Sequence, residues 1–169
     1  MKLIKITKES ANRFILELKN NFPLNELRED CDTLKLFSNP NYQPYYLEEN
    51  GSLVGFVALW KLKPCYFIEH FAVFDDYKNK GYGTKALNLI IKTHKNLILE
   101  VEEPLDKLKA RRIEFYKRNG FILNDFEYYQ PPYRSSDEPT PLKIMSTFSV
   151  ASNFSKLKSE LYKTVYEIN

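Results

Sequence analysis

The sequence predicts an α+β domain: a mixed central sheet of about six to seven strands, flanked by helices and followed by an extra C-terminal helix. Three observations predict it. A β hairpin centred on Asn50-Gly51 is followed by a third β-rich run, which places three strands antiparallel in sequence order. A helical repeat then leads into another apolar strand, a unit that closes as a right-handed crossover with parallel strands. Helical spacing of apolar residues also opens and closes the chain. At 169 residues the chain forms one domain, with a core over 1–150 and a helical extension over 151–169.

The elements follow in order. KLIKIT, residues 2–7, is a short strand, and Ala11, Phe14, Ile15 and Leu18 then recur at helical spacing until Pro23. A second helix, marked by Leu24, Leu27, Cys31, Leu34 and Phe37, runs to the breaker cluster SNPNYQP. YYLEENGSLVGFVALWKL is the hairpin, because Asn-Gly supplies the positive φ angles of a two-residue turn. CYFIEHFAVF, after Pro64, is the third β run. From Thr84 the pattern becomes helical, with Ala86, Leu87, Ile90 and Ile91 on one face, and NLILEV is the strand beyond it. A further helix runs from Leu105 to Asn119, with Gly120 where a C-terminal cap belongs. FIL and PLKIMSTF are the last strands, and the polar segment 124–141 between them reads as a loop. Phe154, Leu157, Leu161, Val165 and Ile168 mark the final amphipathic helix. Its stripe packs on its own sheet or helices or on a second copy, so monomer and homodimer stay open.

Composition narrows the partners. Lys plus Arg number 25 against 22 Asp plus Glu, and a net +3 spread this evenly does not argue for nucleic acid. Cys31 and Cys65 lack metal-type spacing and are too few for a disulfide framework, so neither a metal nor an oxidising compartment is expected. MKLIKIT is no signal peptide, and no run approaches the ~20 apolar residues of a membrane span. A cytoplasmic protein without a membrane partner is the expectation. Aromatics at 15%, with 12 Tyr beside 5 Gly, suit a filled core plus an aromatic-lined groove.

DDYKNKGYGTKAL, residues 75–87, places two glycines behind a lysine-rich turn and ahead of a helix. One reading is that Gly81 and Gly83 only shape the turn. The other is an anion site, since N–H groups at a helix start are unsatisfied, the dipole favours negative charge, and glycine admits close approach. Lys78 and Lys80 add charge beside it. Gly81-x-Gly83-x-x-Ala86 formally matches a dinucleotide fingerprint, with Glu100, Glu102 and Glu103 near the spacing of the ribose-binding acid. That match fails in context, because DDYKNK separates the first glycine from its strand and a hairpin precedes it. A Walker loop is excluded, as no Gly-Lys-Ser or Gly-Lys-Thr occurs.

A third match accounts for more of the chain. HFAVFDDYKNKGYGTKAL resembles the coenzyme A motif of the GNAT superfamily of acetyl-CoA-dependent N-acetyltransferases: a strand ending in Ala-Val, a short loop, then Gln/Arg-x-x-Gly-x-Gly/Ala opening a helix. Lys78 stands in the Gln/Arg position, keeping the charge without the planar fork. ARRIEFYKRNGFIL resembles the family's second element, with Tyr116, Gly120 and Phe121 matching in spacing, while Arg112 and Lys109 replace a usual small residue and asparagine. The resemblance covers residues 1 to about 150 and is motif-specific from 67 to 121.

The resemblance implies a bacterial-type, single-domain enzyme that uses acetyl-CoA as cosubstrate and no metal. It implies direct attack by a primary amine, on a small molecule or a protein. It places Phe71, Ala72 and Val73 along pantetheine and thioester, and Lys78, Asn79, Lys80, Gly81, Tyr82, Gly83 and Thr84 around the pyrophosphate. Tyr116 matches the acid that protonates the departing thiolate, the other reading being a core aromatic. On a regular strand Glu69 shares a face with Phe71 and Val73, which makes it the candidate base or, equally, half of an ion pair. His70, expected on the opposite face, is the alternate base. Cys65 has no adjacent base and reads as core. The family's acceptor groove is framed by the first helix–helix connection and the loop NDFEYYQPPYRSSDEPTP. That loop carries Tyr128, Tyr129, Tyr133, Glu127, Asp137 and Glu138, an aromatic and acidic set suited to a cationic amine or else a solvated surface; Arg134 opposes a purely acidic pocket. A non-catalytic acyl-CoA sensor is the alternative function.

Overall fold

A computed structural model of the chain describes residues 1–134 and 137–168. Its strands are β1 (Lys2–Lys5), β2 (Tyr42–Glu49), β3 (Ser52–Lys61), β4 (Tyr66–Val73), β5 (Leu97–Val101), β6 (Ile122–Gln130) and β7 (Thr140–Ser146). Its helices are α1 (Ala11–Asn21), α2 (Asp30–Leu36), α3 (Tyr82–His94), α4 (Lys107–Arg118) and α5 (Phe154–Val165). One seven-stranded sheet runs β1-β2-β3-β4-β5-β7-β6. β1 to β4 are antiparallel neighbours, β4 and β5 are parallel across α3, and β7 and β6 return antiparallel. At the hairpin tip Asn50 and Gly51 have φ of 51° and 81°, the left-handed pair that a two-residue turn requires.

Helices cover both faces. Phe14, Leu18, Leu36, Leu157 and Leu161 from α1, α2 and α5 pack with Phe56 and Trp60 on one side. Ala86, Leu87, Ile90 and Ile113 from α3 and α4 pack with Leu59 and Leu99 on the other. The apolar stripe of α5 is therefore satisfied within its own chain, each such side chain contributing roughly 1.5–3 kcal/mol. No helix among the described residues is long and apolar enough to cross a membrane.

Two elements differ from the sequence reading, and both differences shape the site. The helix expected from Leu24 to Phe37 is broken: a 3-10 turn over Leu24–Glu26 gives way to an extended stretch, and α2 starts only at Asp30. Leu24 and Cys31, expected on its apolar face, are exposed, while Leu27, Thr33 and Leu36 are buried. Within the extended stretch Leu27 enters the core and the Arg28 side chain turns inward. The second difference is β6, which runs through the first part of the segment read as loop, to Gln130. Phe126 stacks on Phe154 at 4.2 Å and Tyr128 meets Tyr162 at 5.9 Å, while Asp125, Glu127 and Tyr129 alternate outward. An edge strand packed on one face by α5 carries polar residues on the other, so its composition resembles a loop.

Candidate active site

β4 and β5 pair only through Tyr66–Ile68 against Leu97–Leu99. Beyond Ile68 no strand among the described residues pairs with that edge of β4, so main-chain groups from Glu69 to Val73 border a cleft. At the same point β4 carries one extra residue. Opposite β3, Leu59 pairs with Ile68 and Ala58 with His70, which leaves Glu69 as a β-bulge.

The bulge corrects the expected geometry of Glu69. Alternation along a regular strand puts it with Phe71 and Val73, but one added residue reverses the parity. Phe71 and Val73 face the α3 and α4 side. Glu69 faces the other core, where Trp60 Nε1 donates to its Oε2 at 2.9 Å. His70, expected opposite Glu69, lies beside it: Nδ1 is 3.6 Å from Glu69 Oε2, and Nε2 is 3.1 Å from the Glu26 carbonyl oxygen.

The cleft holds two cavities of about 400 Å³ each that share Phe71, Val73, Lys78, Arg112 and Tyr116. The first is bordered by the glycine turn. Gly81 has φ 81°, and no side chain caps α3, so its first N–H groups point outward without an intrahelical partner. Gly83 sits where α3 meets α4, and a Cβ there would lie 3.1 Å from Phe115 Cζ. Asn79 and Thr84 complete the border with Lys78, which ion-pairs with Asp75 at 2.5 Å. Ala72 lines the second cavity instead. Lys80 and Tyr82 line neither: Lys80 is exposed, and Tyr82 packs edge-on to Tyr77 at 5.4 Å. The turn fits a phosphate-bearing ligand through its uncapped helix start, positive φ and lysine, with room at Gly83 that any side chain would fill. Gly83→Asp, which adds bulk and negative charge there, should weaken acetyl-CoA binding by at least about tenfold in calorimetry. Unchanged affinity with the fold intact would remove the turn from the site.

The second cavity is acidic and aromatic. It is lined by Glu26, Glu69, Glu100 and Glu102, with Phe22 and Tyr133, against Lys78 and Arg112. Glu69 is fully enclosed and ion-paired to Arg28, and Tyr133 donates to its Oε1 at 3.2 Å. Burial alone would raise its pKa, but the guanidinium and His70 outweigh burial and hold the carboxyl well below the usual range. Arg28 lies 4.4 Å over the Tyr133 ring and donates to the Val165 carbonyl at 2.8 Å. Removing it would strand a buried carboxylate, so Arg28→Leu should lower stability by about 3–5 kcal/mol in urea unfolding at neutral pH, and Arg28→Leu with Glu69→Gln should recover most of it. The ion pair's contribution is fully present above the unfolded-state pKa of ~4.3 and is lost as pH falls through the lower native value.

Glu100 is the other carboxyl enclosed by the site, on a half-buried residue. Tyr128 donates to Oε1, Gln130 Nε2 donates to Oε2 at 2.6 Å, and the Tyr166 hydroxyl lies 2.9 Å from Oε2. No cation pairs with it among the described residues. Burial pushes its pKa up to about 7, only partly offset by those three donors, and the charge on Glu69 adds to the rise. Tyr116 stands where the two cavities meet, its ring packed on Phe115 and Phe121 at 5.3 and 5.6 Å. Burial pushes its phenol up to about 12, with Arg112 opposing. Its hydroxyl makes no hydrogen bond among the described residues, and Tyr116 lines both cavities.

Of the segment expected to form the acceptor groove, Tyr128 and Tyr133 reach the site, whereas Glu127, Tyr129 and Glu138 are exposed. Arg134 closes the loop over the α1–α2 connection, donating to the Leu27 carbonyl and pairing with Glu29, both at 3.2 Å. Ser135 and Ser136 of that loop lie outside the described residues. Arg28, Glu100 and Tyr166 were not among the residues the sequence singled out for this cavity. Glu100 carried a signal, as a lone carboxylate in the apolar strand NLILEV, while Arg28 and Tyr166 had none.

The comparisons agree on one family. A model described as the acetyltransferase (GNAT) family matches residues 10–121. A protein from Bacteroides thetaiotaomicron assigned to the GNAT family superposes with TM-score 0.93 at 27% identity, over 100% of both chains. A ribosomal-protein alanine N-acetyltransferase from Escherichia coli is similar over 86% of this chain and 91% of its own, with TM-score 0.62 at 18% identity. An aminoglycoside 6′-N-acetyltransferase complexed with coenzyme A is similar over 86% of this chain and 96% of its own, with TM-score 0.61 at 14% identity. The last two are likenesses of fold alone. Comparison with curated protein sequences finds no match.

Proposed function

The chain belongs to the acetyltransferase (GNAT) family, and from that premise we propose that it transfers the acetyl group of acetyl-CoA to a cationic primary amine by direct attack within the β4–β5 cleft. The observation that carries this reading is the meeting of two cavities at Phe71, Val73 and Tyr116, one bordered by an uncapped helix start and the other by carboxylates. Donor and acceptor would then face each other across one seam.

The first cavity takes the donor. Main-chain amides of Gly83 and Thr84, with Lys78, hold the pyrophosphate, and the unpaired edge of β4 from Phe71 to Val73 aligns the pantetheine arm and polarises the thioester carbonyl. Tyr116, protonated throughout the neutral range, is the acid for the departing thiolate. The second cavity takes the acceptor. Its carboxylates favour an ammonium over a neutral or anionic ligand, and an ammonium must lose a proton before it attacks.

Glu69 is placed to attract that cation but not to take its proton, because Arg28 keeps it ionised. Of the two His70 nitrogens, Nε2 is held by the Glu26 carbonyl at 3.1 Å, and Nδ1 is 3.6 Å from Glu69 Oε2 without a hydrogen bond among the described residues. Glu100 has the requisite properties: it lines the acceptor cavity, pairs with no cation among the described residues, and burial pushes its pKa up to about 7. We therefore assign the proton acceptor to Glu100. The acceptor is carried by a small molecule or a protein, and the related folds include an enzyme of each kind. The test is coenzyme A release from acetyl-CoA across a panel of polyamines, amino sugars and lysine- or N-terminal-amine peptides. Release that depends on a cationic amine is expected; tight acetyl-CoA binding with no release for any amine would favour a sensor.

A further inference from the structure

We infer that Tyr166, on the turn that ends α5, is a positioning residue for Glu100, and that the C-terminal helix is thereby part of the acceptor site. The inference rests on the assignment of Glu100 as proton acceptor. The Tyr166 hydroxyl lies 3.0 Å from Oε1 and 2.9 Å from Oε2 of Glu100, and it accepts from Gln130 Nε2 at 3.1 Å. Gln130 and Tyr166 are therefore wired to each other as well as to the carboxylate.

The turn that carries Tyr166 is itself fixed. Its N–H and that of Ile168 both donate to the Tyr162 carbonyl at 3.1 Å, and its ring packs on Tyr133 at 5.4 Å. The preceding residue, Val165, accepts from Arg28 at 2.8 Å. One helix end thus supports the partners of both enclosed carboxylates, Glu100 directly and Glu69 through Arg28. A helix serving only as a lid over the core would need its apolar stripe but not this polar contact.

The consequence is electrostatic. The groups facing Glu100 are Tyr128 and Gln130 from β6, Tyr133 from the loop after β6, Tyr162 and Tyr166 from the end of α5, and Glu69 from β4 with Arg28 as its counter-ion. Burial pushes the Tyr166 phenol well above its ordinary value, and Glu100 and the other tyrosines push the same way, so it stays a donor at every working pH. A donor to a carboxylate stabilises the charged form and lowers its pKa. Without Tyr166, Glu100 would hold its proton to higher pH and be a poorer acceptor at neutrality.

Tyr166→Phe removes the hydroxyl and keeps the ring against Tyr133. The acid limb of kcat/KM, which reports the free enzyme, should move up by on the order of one pH unit, with the alkaline plateau within about twofold of wild type. The Glu100 carboxyl resonance, assigned by its loss in Glu100→Gln and titrated by ¹³C NMR without substrate, should move the same way. Gln130→Met, which loosens the network from the other side, should give a smaller upward shift. Tyr162→Phe, whose hydroxyl donates to the Tyr129 carbonyl instead, should give none. An unmoved limb and an unmoved resonance in Tyr166→Phe would overturn the positioning role and leave Glu100 in place. A wild-type acid limb in Glu100→Gln would instead overturn the assignment beneath it.

Discussion

Tyr116→Phe should lower turnover by about 10²-fold or more while leaving acetyl-CoA affinity within about twofold. The substitution removes one hydroxyl and keeps the ring that packs on Phe115 and Phe121, so the helix surface it belongs to is undisturbed. Tyr116 lines both cavities, and its hydroxyl makes no hydrogen bond among the described residues. An acid used only as the thiolate departs contributes to the transition state and not to binding, so kcat falls and KM changes little. Equal turnover would reduce Tyr116 to a packing residue.

Glu100→Gln carries the second large effect. A carboxyl that titrates near pH 7 is protonated below that value and cannot accept the ammonium proton, so wild-type kcat/KM should rise as pH passes through about 7. Glutamine keeps the volume and much of the hydrogen bonding but accepts no proton. Turnover at neutral pH should fall by about 10²-fold and the acid limb should vanish. Glu69→Gln should behave differently, because Glu69 is ionised across this whole range. It should keep the limb, shifted to lower pH because the Glu69 charge no longer raises the Glu100 pKa, and act on stability and acceptor affinity. The opposite pattern, with the limb lost in Glu69→Gln and kept in Glu100→Gln, would return the proton to Glu69.

What could be read from the sequence was what short-range pattern encodes. Asn50-Gly51 sets its turn by backbone geometry, and the crossover around α3 follows from alternating periods. The glycine turn could likewise be read from the unsatisfied groups at any helix start. Position along the chain also brought Tyr116 and the turn to one cleft, because α3 and α4 both follow strands that end there. Glu69 shows where that reasoning stops. A bulge is one uncompensated residue in a ladder, invisible until the partner strand's register is known, and it reversed the face assigned to Glu69 and brought His70 to its side. The partners of the two carboxylates are remote as well: Arg28 is 41 positions from Glu69 and Tyr166 is 66 from Glu100. β6 was hidden for a different reason, since a strand buried on one face and bare at the sheet edge has the composition of a loop.

In the proposed reaction the acetyl group passes directly from acetyl-CoA to an amine held by the acidic cavity. Intact-mass analysis of a single turnover tests it most directly, using an amine that supports coenzyme A release. One acetylated amine is expected for each coenzyme A freed, with the protein's own mass unchanged at every time point. An acetylated protein that forms before the product and decays into it, or coenzyme A freed without acetylated amine, would contradict it.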